Sequence, residues 1–133
     1  MFLTDFNATD YILPIILGIS IGLLIAFKRN SGSYKLIYLD AEEFRSNMRK
    51  GQLIDIRLKE DFTQEKINGS RNFPKREVLQ SLHLLRKDQP IFIYGNTDKG
   101  QIKSVGKKLM KKGYKPVYVL VGGLNNWPFV KKQ

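Results

Sequence analysis

The sequence predicts an α/β domain, a parallel sheet flanked by helices on both faces, preceded by a single transmembrane helix. From about residue 34 onward, short apolar runs alternate with segments of helical periodicity, and this alternation is typical of a parallel sheet. Residues 11–27 contain no charged side chain, which is typical of a membrane-spanning helix. We therefore divide the 133 residues into a short N-terminal segment (1–10), the spanning helix (11–27), a linker (28–33) and the α/β domain (34–133).

As an α-helix, residues 11–27 would be about 25 Å long, near the lower limit for a membrane span. Every Lys and Arg lies at or after Lys28, whereas Asp5 and Asp10 are the only charged side chains before it. Because basic residues favour the cytoplasmic side, we expect the N-terminus outside the cell membrane and the domain in the cytoplasm. The acidic N-terminal segment is unlike the basic leader of a signal peptide, so we expect the anchor to be retained.

The predicted spanning helix carries small residues at a spacing of four, Gly18, Gly22 and Ala26. Such a ridge lets two spanning helices approach closely and would permit a homodimer. Glycine is also common in spanning helices in general, so the ridge has a second interpretation without pairing.

Residues 28–133 carry 23 basic and 10 acidic side chains, a formal charge of +13. So basic a domain favours an anionic partner, which could be a phospholipid surface, nucleic acid or an acidic protein. No nucleic-acid-binding motif is present, and we expect no nucleic acid. The stretch "GKKLMKK", Gly106–Lys112, places lysines on the outer face of a helix. That face is either simply solvated or in contact with anionic lipid.

The chain contains no cysteine. This excludes disulfides, thiolate metal ligands and a sulfur nucleophile. We predict neither a metal site nor a cofactor.

The elements of the domain follow in order from its patterns. Strands are predicted at Lys35–Leu39, Leu53–Ile56, Arg71–Pro74, Ile91–Tyr94 and Pro116–Gly123. Helices are predicted from Asp40, with Glu43 at capping-box spacing, to Gly51, then at Asp61–Ile67, at Lys75–Arg86 and from the stretch after Gly100 to Gly113. A terminal turn, "LNNWPF", places Trp127 in the core.

The loop after the central strand "IFIY" occupies the usual position of a functional site, since such sites lie at the carboxyl ends of parallel strands. It consists of Gly95, Asn96, Thr97, Asp98, Lys99 and Gly100. A loop leading into a helix presents backbone N–H groups that suit an anion, and Lys99, Lys103 and Arg57 could contact that anion or a protein partner. The alternative, which we favour, is a plain turn in which Thr97 or Asp98 caps the following helix.

Two stretches resemble the rhodanese family. "LIDIRLKEDF…INGSRNFP", Leu53–Pro74, resembles its Asp-x-Arg strand end followed by an acidic-aromatic pair and a Gly-x-x-Asn-x-Pro turn. "YVLVGGLNNW", Tyr118–Trp127, resembles its closing Leu-x-Gly-Gly-x-x-x-Trp motif. The resemblance extends over roughly residues 34–130 and implies a membrane-anchored, single-domain rhodanese-like protein of bacterial type.

In active members of that family, a catalytic cysteine begins the loop after the central strand, and here the resemblance puts Gly95 in its place. The usual mid-loop glycine is replaced by Asp98, and the usual Arg-Ser at the loop end by Gly100-Gln101. The resemblance further implies that Asp55 and Arg57 pin neighbouring loops, although the pair could also serve as an acid and an anion clamp. Differences from the family pattern thus concentrate at the reaction site.

Sulfur transfer of this kind needs a thiolate, which Gly95 cannot supply. Thr97 and Ser104 offer hydroxyls, but the single His83 lies in an unrelated stretch and cannot activate them. We therefore predict no catalytic residue and a non-catalytic binding or adaptor module at the inner membrane surface. Two alternatives remain: a sulfurtransferase-type enzyme or sulfur carrier that uses a partner's thiol, and a membrane adaptor whose spanning helix performs the recognition.

Overall fold

The computed structural model of the chain describes residues 7–30 and 34–133. Its helices and strands are α1 (Thr9–Asn30), β1 (Ile37–Leu39), α2 (Ala41–Asn47), β2 (Gln52–Asp55), α3 (Lys59–Gln64), β3 (Arg71–Asn72), β4 (Ile91–Tyr94), α4 (Gln101–Lys111) and β5 (Val117–Leu120). Short 3-10 helices occur at Met48–Lys50, Val78–Gln80, Leu82–Leu84 and Leu124–Asn126. The chain forms two compact units, Met1–Ser33 and Tyr34–Gln133.

The first unit is built on α1, a helix of 22 residues. Its segment Thr9–Phe27 is long and apolar enough to cross a membrane, by length and composition, and no part of that segment is buried. The helix predicted for residues 11–27 is therefore present, and it begins two residues earlier. An added Cβ at Gly18 or Gly22 would meet nothing within 4 Å, so the ridge of small residues is open.

The second unit is a five-stranded sheet in the order β1-β5-β4-β2-β3, and all its neighbouring strands are parallel. This confirms the predicted parallel sheet. All four residues of β4 are buried, as expected for the continuous apolar run of a strand covered on both faces. The carboxyl end of β4 lies between those of β5 and β2, which places the loop after Tyr94 at the middle of the sheet's edge.

Alternate residues of β4 face two separate hydrophobic cores. Ile91 and Ile93 belong to the core beneath α4, with Ile102, Val105 and Leu109 of that helix. The other core lies beneath α2 and the C-terminal turn and contains Phe44, Phe92, Tyr94, Leu124 and Trp127. Trp127 is thus a core residue, as predicted, and the sheet is covered on both faces.

The cap of α2 forms as the sequence predicts. The Glu43 N–H donates to Asp40 Oδ1 at 2.8 Å, which satisfies one of the free donors at the start of the helix. Phe44 and Met48 are buried on its inner side. A 3-10 turn at Met48–Lys50 leads from α2 to Gly51.

The prediction of an α-helix at Lys75–Arg86 is wrong. This segment forms two 3-10 helices instead, and backbone groups that would bond to each other in an α-helix bond to side chains from other segments. The Arg86 N–H, which would donate to Leu82 O in a helix, donates to the side chain of Gln52 at 2.7 Å. The Tyr114 hydroxyl donates to Leu82 O at 2.9 Å. The short helix predicted for Asp61–Ile67 is present with shifted bounds, beginning two residues earlier at Lys59 and ending at Gln64.

Candidate functional site

The loop Gly95–Gly100 follows β4 and leads into α4, at the carboxyl edge of the sheet. Its first half is bonded to the turn after β5. The Leu124 N–H donates to Gly95 O at 2.8 Å, and the Asn125 N–H donates to Asn96 O at 3.1 Å. The loop is therefore held by its backbone at the end nearest the strand.

Gly123 packs directly against this loop. It has a φ of 62°, in the left-handed region that favours glycine. A Cβ added there would lie 2.5 Å from the carbonyl carbon and oxygen of Asn96 and 2.6 Å from Thr97 N. Gly123, the second glycine after β5, thus permits a close approach of two backbones, one of which belongs to the loop.

A buried ion pair between Asp55 and Arg57 lies at the end of β2, and Arg57 also contacts the same loop. Asp55 is completely buried, and the Arg57 side chain is 7% exposed. Arg57 Nη2 donates to Asp55 Oδ2 at 2.8 Å, while Nε lies 3.1 and 3.0 Å from the two carboxylate oxygens. Nη2 also donates to Glu65 O, and Nη1 donates to Asn96 Oδ1 at 3.4 Å. Arg57 thereby links three segments.

The guanidinium of Arg57 is consequently committed to partners inside the domain. Burial opposes its charge, but the hydrogen bonds and the attraction of Asp55 outweigh burial and raise the pKa of Arg57. Its predicted contact with an anion or partner stays a prediction. The geometry shows it as a clamp that pins loops, the role that the family resemblance implied.

Tyr94, the last residue of β4, closes the core below the loop. Its hydroxyl accepts from the Ile67 N–H at 3.1 Å and donates to Ser70 Oγ at 2.9 Å. Burial is the largest cause of the raised pKa of Tyr94, and the nearby carboxylate of Asp55 is the second. The tyrosine therefore stays neutral and ties β4 to the segment that precedes β3.

The second half of the loop is more open. Asn96, Thr97, Lys99 and Gly100 are exposed, and Asp98 is half-buried. The expected cap of α4 by Thr97 or Asp98 is wrong, because the N-cap position is Gly100, which has no side chain to cap with. Gly100 has a positive φ of 69°, and the helix begins only after it, at Gln101. Thr97 Oγ instead accepts from the Lys99 N–H at 3.4 Å.

No nucleophile is present where the loop begins. Gly95 is buried, yet a Cβ added there would make only ordinary contacts, 3.5 Å from Thr97 O and 3.7 Å from Ile56 Cγ1. His83 is exposed in the connection that enters the amino end of β4, whereas the loop follows its carboxyl end. Within residues 7–30 and 34–133, no three His, Asp or Glu side chains are grouped to hold a metal ion.

The position of this loop follows from the sequence, but the role of Asn96, which contacts Arg57 through its side chain and Asn125 through its carbonyl, does not. The hydroxyl bonds of Tyr94 were not predicted either. The only available signal was a tyrosine at the end of an otherwise aliphatic and aromatic run, because a buried hydroxyl needs a partner.

Comparison with known proteins agrees with this architecture. Residues 40–128 match the model of the rhodanese-like domain family. The uncharacterized protein YqhL of Bacillus subtilis is 35% identical over 89 residues, which cover 67% of this chain and 70% of that protein.

Solved structures show the same fold at low sequence identity. A rhodanese-related protein from Thermoplasma volcanium superposes with a TM-score of 0.66 at 16% identity, over 72% of this chain and 97% of that one. A rhodanese-like domain from Anabaena gives a TM-score of 0.65 at 23% identity, over 74% and 80% of the two chains. Because residues 40–128 match the family model and the parallel sheet, the Asp55–Arg57 clamp and the packing of Gly123 on the loop agree with it, the chain belongs to the rhodanese-like family.

Proposed function

We propose that this protein is a catalytically inactive rhodanese-like module, anchored in the cell membrane by α1, that docks a protein partner or an anionic group at the inner surface. The observation that carries the proposal is a preserved framework around a missing nucleophile. The clamp, the packing of Gly123 on the loop and the parallel sheet are all present, while the loop begins with Gly95 in a chain that has no cysteine.

The chemistry of sulfur transfer supports inactivity. A thiolate must attack the sulfur donor and hold the sulfur as a persulfide, and backbone N–H groups cannot replace it. The half-buried Asp98 adds a negative charge to the loop, which opposes an anionic intermediate there. The exposed hydroxyls of Thr97 and Ser104 have no histidine beside them, since His83 lies at the other end of β4.

The membrane location rests on the length and apolar composition of α1 and on the distribution of charge. Basic residues occur only from Lys28 onward, and the cytoplasm is the side they favour. Residues 31–33 separate the end of α1 from Tyr34, and three residues reach about 10 Å when fully extended. A link this short keeps the domain close to the bilayer.

The lysine face of α4 is the surface we assign to anionic lipid. It consists of exposed lysines on the side away from the core: Lys103, Lys107, Lys108, Lys111 and Lys112. Lys111 Nζ lies 5.9 Å from the centre of the Tyr34 ring, so this face reaches the residue at which the chain enters the domain. Lysines near an anionic surface each contribute about 1 kcal/mol to binding.

The test is an assay of the purified full-length chain with thiosulfate and cyanide. We expect no thiocyanate and no sulfur adduct by intact mass. Gly95→Cys supplies a thiol at a position where an added Cβ makes only ordinary contacts, and Gly95→Ser is the matched control without a thiol. Turnover by the unmodified chain that disappears on changing the loop would refute inactivity and favour the sulfurtransferase alternative.

The choice between the domain and α1 as the recognition element needs a second experiment. Crosslinking in native membranes is compared for the intact chain and for a chain in which an unrelated spanning helix replaces α1. Retained crosslinks support recognition by the domain. Crosslinks that vanish with the exchange support the adaptor in which α1 finds the partner.

A further inference from the structure

A groove with a volume of about 660 Å³ lies between α2 and the C-terminal segment. Its walls come from Met48 and Arg49, which precede β2, from Ile67 and Asn68, which precede β3, and from Trp127–Lys132. The first two of these segments lead into the amino ends of strands, whereas Trp127–Lys132 follows the turn after β5. No residue of the loop Gly95–Gly100 lines the groove, so the groove is distinct from the loop.

The floor of the groove is apolar. Met48, Ile67 and Trp127 are buried beneath it, and the half-buried Phe129 packs its ring 5.0 Å from that of Trp127. Beside them, Val130 is 92% exposed. Val130 therefore adds exposed apolar surface beside the floor of the groove.

The rim of the groove is basic. Arg45, Arg49, Lys131 and Lys132 line it, and no carboxylate does. Arg45 lies 4.3 Å over the ring of Phe129, and Lys131 pairs at 3.7 Å with Glu65 outside the groove. Among the residues that the structure describes, Arg49 and Lys132 have no ion pair. A basic rim of this kind is complementary to an acidic partner.

The groove is elongated. A second depression of about 380 Å³ shares Met48, Arg49 and Asn68 with it and continues to Gly51 and Gly69. An extended chain fits such a shape better than a compact molecule does.

We propose that this groove, here called the C-terminal groove, binds an acidic peptide segment of a protein partner that carries an aliphatic or aromatic residue. The apolar residue packs on Trp127 and Phe129, and the flanking carboxylates meet Arg45, Arg49 and Lys132. The proposal goes beyond the proposed function, because it assigns the protein partner a surface of its own, separate from the loop and from the lysine face of α4. An anionic lipid is the rival occupant, but a flat bilayer surface does not follow a concave, elongated groove.

The test uses the full-length chain in phosphatidylcholine nanodiscs and a displayed library of random dodecapeptides. We expect enrichment of peptides in which Asp or Glu flanks Leu, Ile or Phe. Trp127 is the only tryptophan of the chain, so its emission reports occupation of the groove directly. Titration with an enriched peptide should change that emission and should weaken at high salt.

Variants distinguish the groove from general attraction to a basic protein. Val130→Glu and Arg49→Glu change exposed side chains, and each should weaken peptide binding by about tenfold or more, the factor set by 1.4 kcal/mol. Leu84→Glu is the matched control, because Leu84 is also an exposed aliphatic residue, at 53%, and lies outside the groove. It should leave binding unchanged.

Four outcomes would overturn the proposal. The first is no enrichment, and the second is enrichment of peptides without acidic residues. The third is binding that Leu84→Glu weakens as much as Val130→Glu does. The fourth is a Trp127 emission change on transfer to phosphatidylglycerol nanodiscs that also blocks the peptide, which would assign the groove to lipid.

Discussion

Gly69 and Gly123 both have positive φ angles, 86° and 62°, but only Gly123 lacks room for a side chain. We expect Gly69→Ala to lower the free energy of unfolding by about 1–2 kcal/mol, the cost of a left-handed alanine. Gly123→Ala should cost clearly more, because its Cβ would lie 2.5 Å from the Asn96 backbone and the loop would have to move. Urea unfolding measures both. Equal losses would contradict close packing of the turn on the loop.

Gly95 completes this comparison. It has no positive φ, and an added Cβ would make contacts at 3.5 Å or more. We expect the free energy of unfolding of Gly95→Ala to lie within about 0.5 kcal/mol of that of the unmodified chain, as is usual for substitutions that introduce neither strain nor a clash. A loss as large as that of Gly123→Ala would show that the site requires glycine. If alanine is tolerated, packing does not explain the absence of a side chain where active relatives carry their thiol.

The buried hydroxyl of Tyr94 makes stability depend on pH at the alkaline end. The pKa of Tyr94 is raised in the fold by burial and by Asp55, above an ordinary value of 10.0. The neutral form is therefore favoured by folding, and its contribution is complete below pH 10 and declines as the pH rises further. Tyr94→Phe removes this contribution and leaves the Ile67 N–H without its acceptor, at a cost of roughly 1–3 kcal/mol at neutral pH.

The measurement is the free energy of unfolding of both proteins from pH 7 to above pH 10. Because lysine titration affects both alike, the difference between them isolates Tyr94. That difference should shrink above pH 10. A difference that stays constant or grows would show that the phenol is not held neutral by the fold.

At the level of elements, β4 is the strand whose bounds the sequence predicts without error, Ile91–Tyr94. Pro90 and Gly95 bound a short continuous apolar run, which is typical of a strand buried on both faces and fixes where it starts and ends. The connection before it is the opposite case. Val78, Leu82 and Leu85 have helical spacing, but side chains distant in sequence, Gln52 and Tyr114, take the hydrogen bonds of this segment. Local periodicity carries no information about such partners.

The candidate site likewise has features that the sequence predicts and features that it does not. The position of the loop follows from strand order, and its lack of a thiol is visible in the sequence. Its hydrogen bonds are not, because Arg57 and Asn96 are 39 residues apart and meet only when β2 and β4 pair. The C-terminal groove escaped prediction for the same reason, since its walls come from three separated stretches of chain.

Helix α4 is the element whose exposed face we assign to anionic lipid. A nitroxide on Ser104→Cys, at an exposed position of α4, should lose mobility in phosphatidylglycerol nanodiscs relative to phosphatidylcholine nanodiscs. Lys107→Glu with Lys108→Glu should abolish the difference, because each lysine near the surface contributes about 1 kcal/mol. The same label on Thr63→Cys, exposed on α3 beside Glu60 and Asp61, is the control. An equal effect at both positions would indicate crowding rather than a lysine contact.

For the molecule as a whole, charge is unevenly distributed along the sequence. Before Lys28 the only charged side chains are acidic, and from Lys28 onward the chain carries a formal charge of +13. Orientation in a membrane responds to basic residues that flank the span, and Lys28, Arg29 and Lys35 all follow it. The same excess of positive charge suits the anionic inner leaflet. Anchor orientation and surface charge thus favour one arrangement.

That arrangement is directly testable because the chain has no cysteine, so a single introduced thiol reports its own location without background. We expect Thr4→Cys to react with a membrane-impermeant maleimide on intact spheroplasts, and Gln133→Cys to react only after permeabilisation, since basic residues that flank a span favour the cytoplasmic side. Labelling is read as a gel shift. Replacing Lys28, Arg29 and Lys35 with glutamine should weaken this preference and increase external labelling of Gln133→Cys. The opposite pattern in the unmodified chain would place the domain outside and remove the basis for docking at the inner surface.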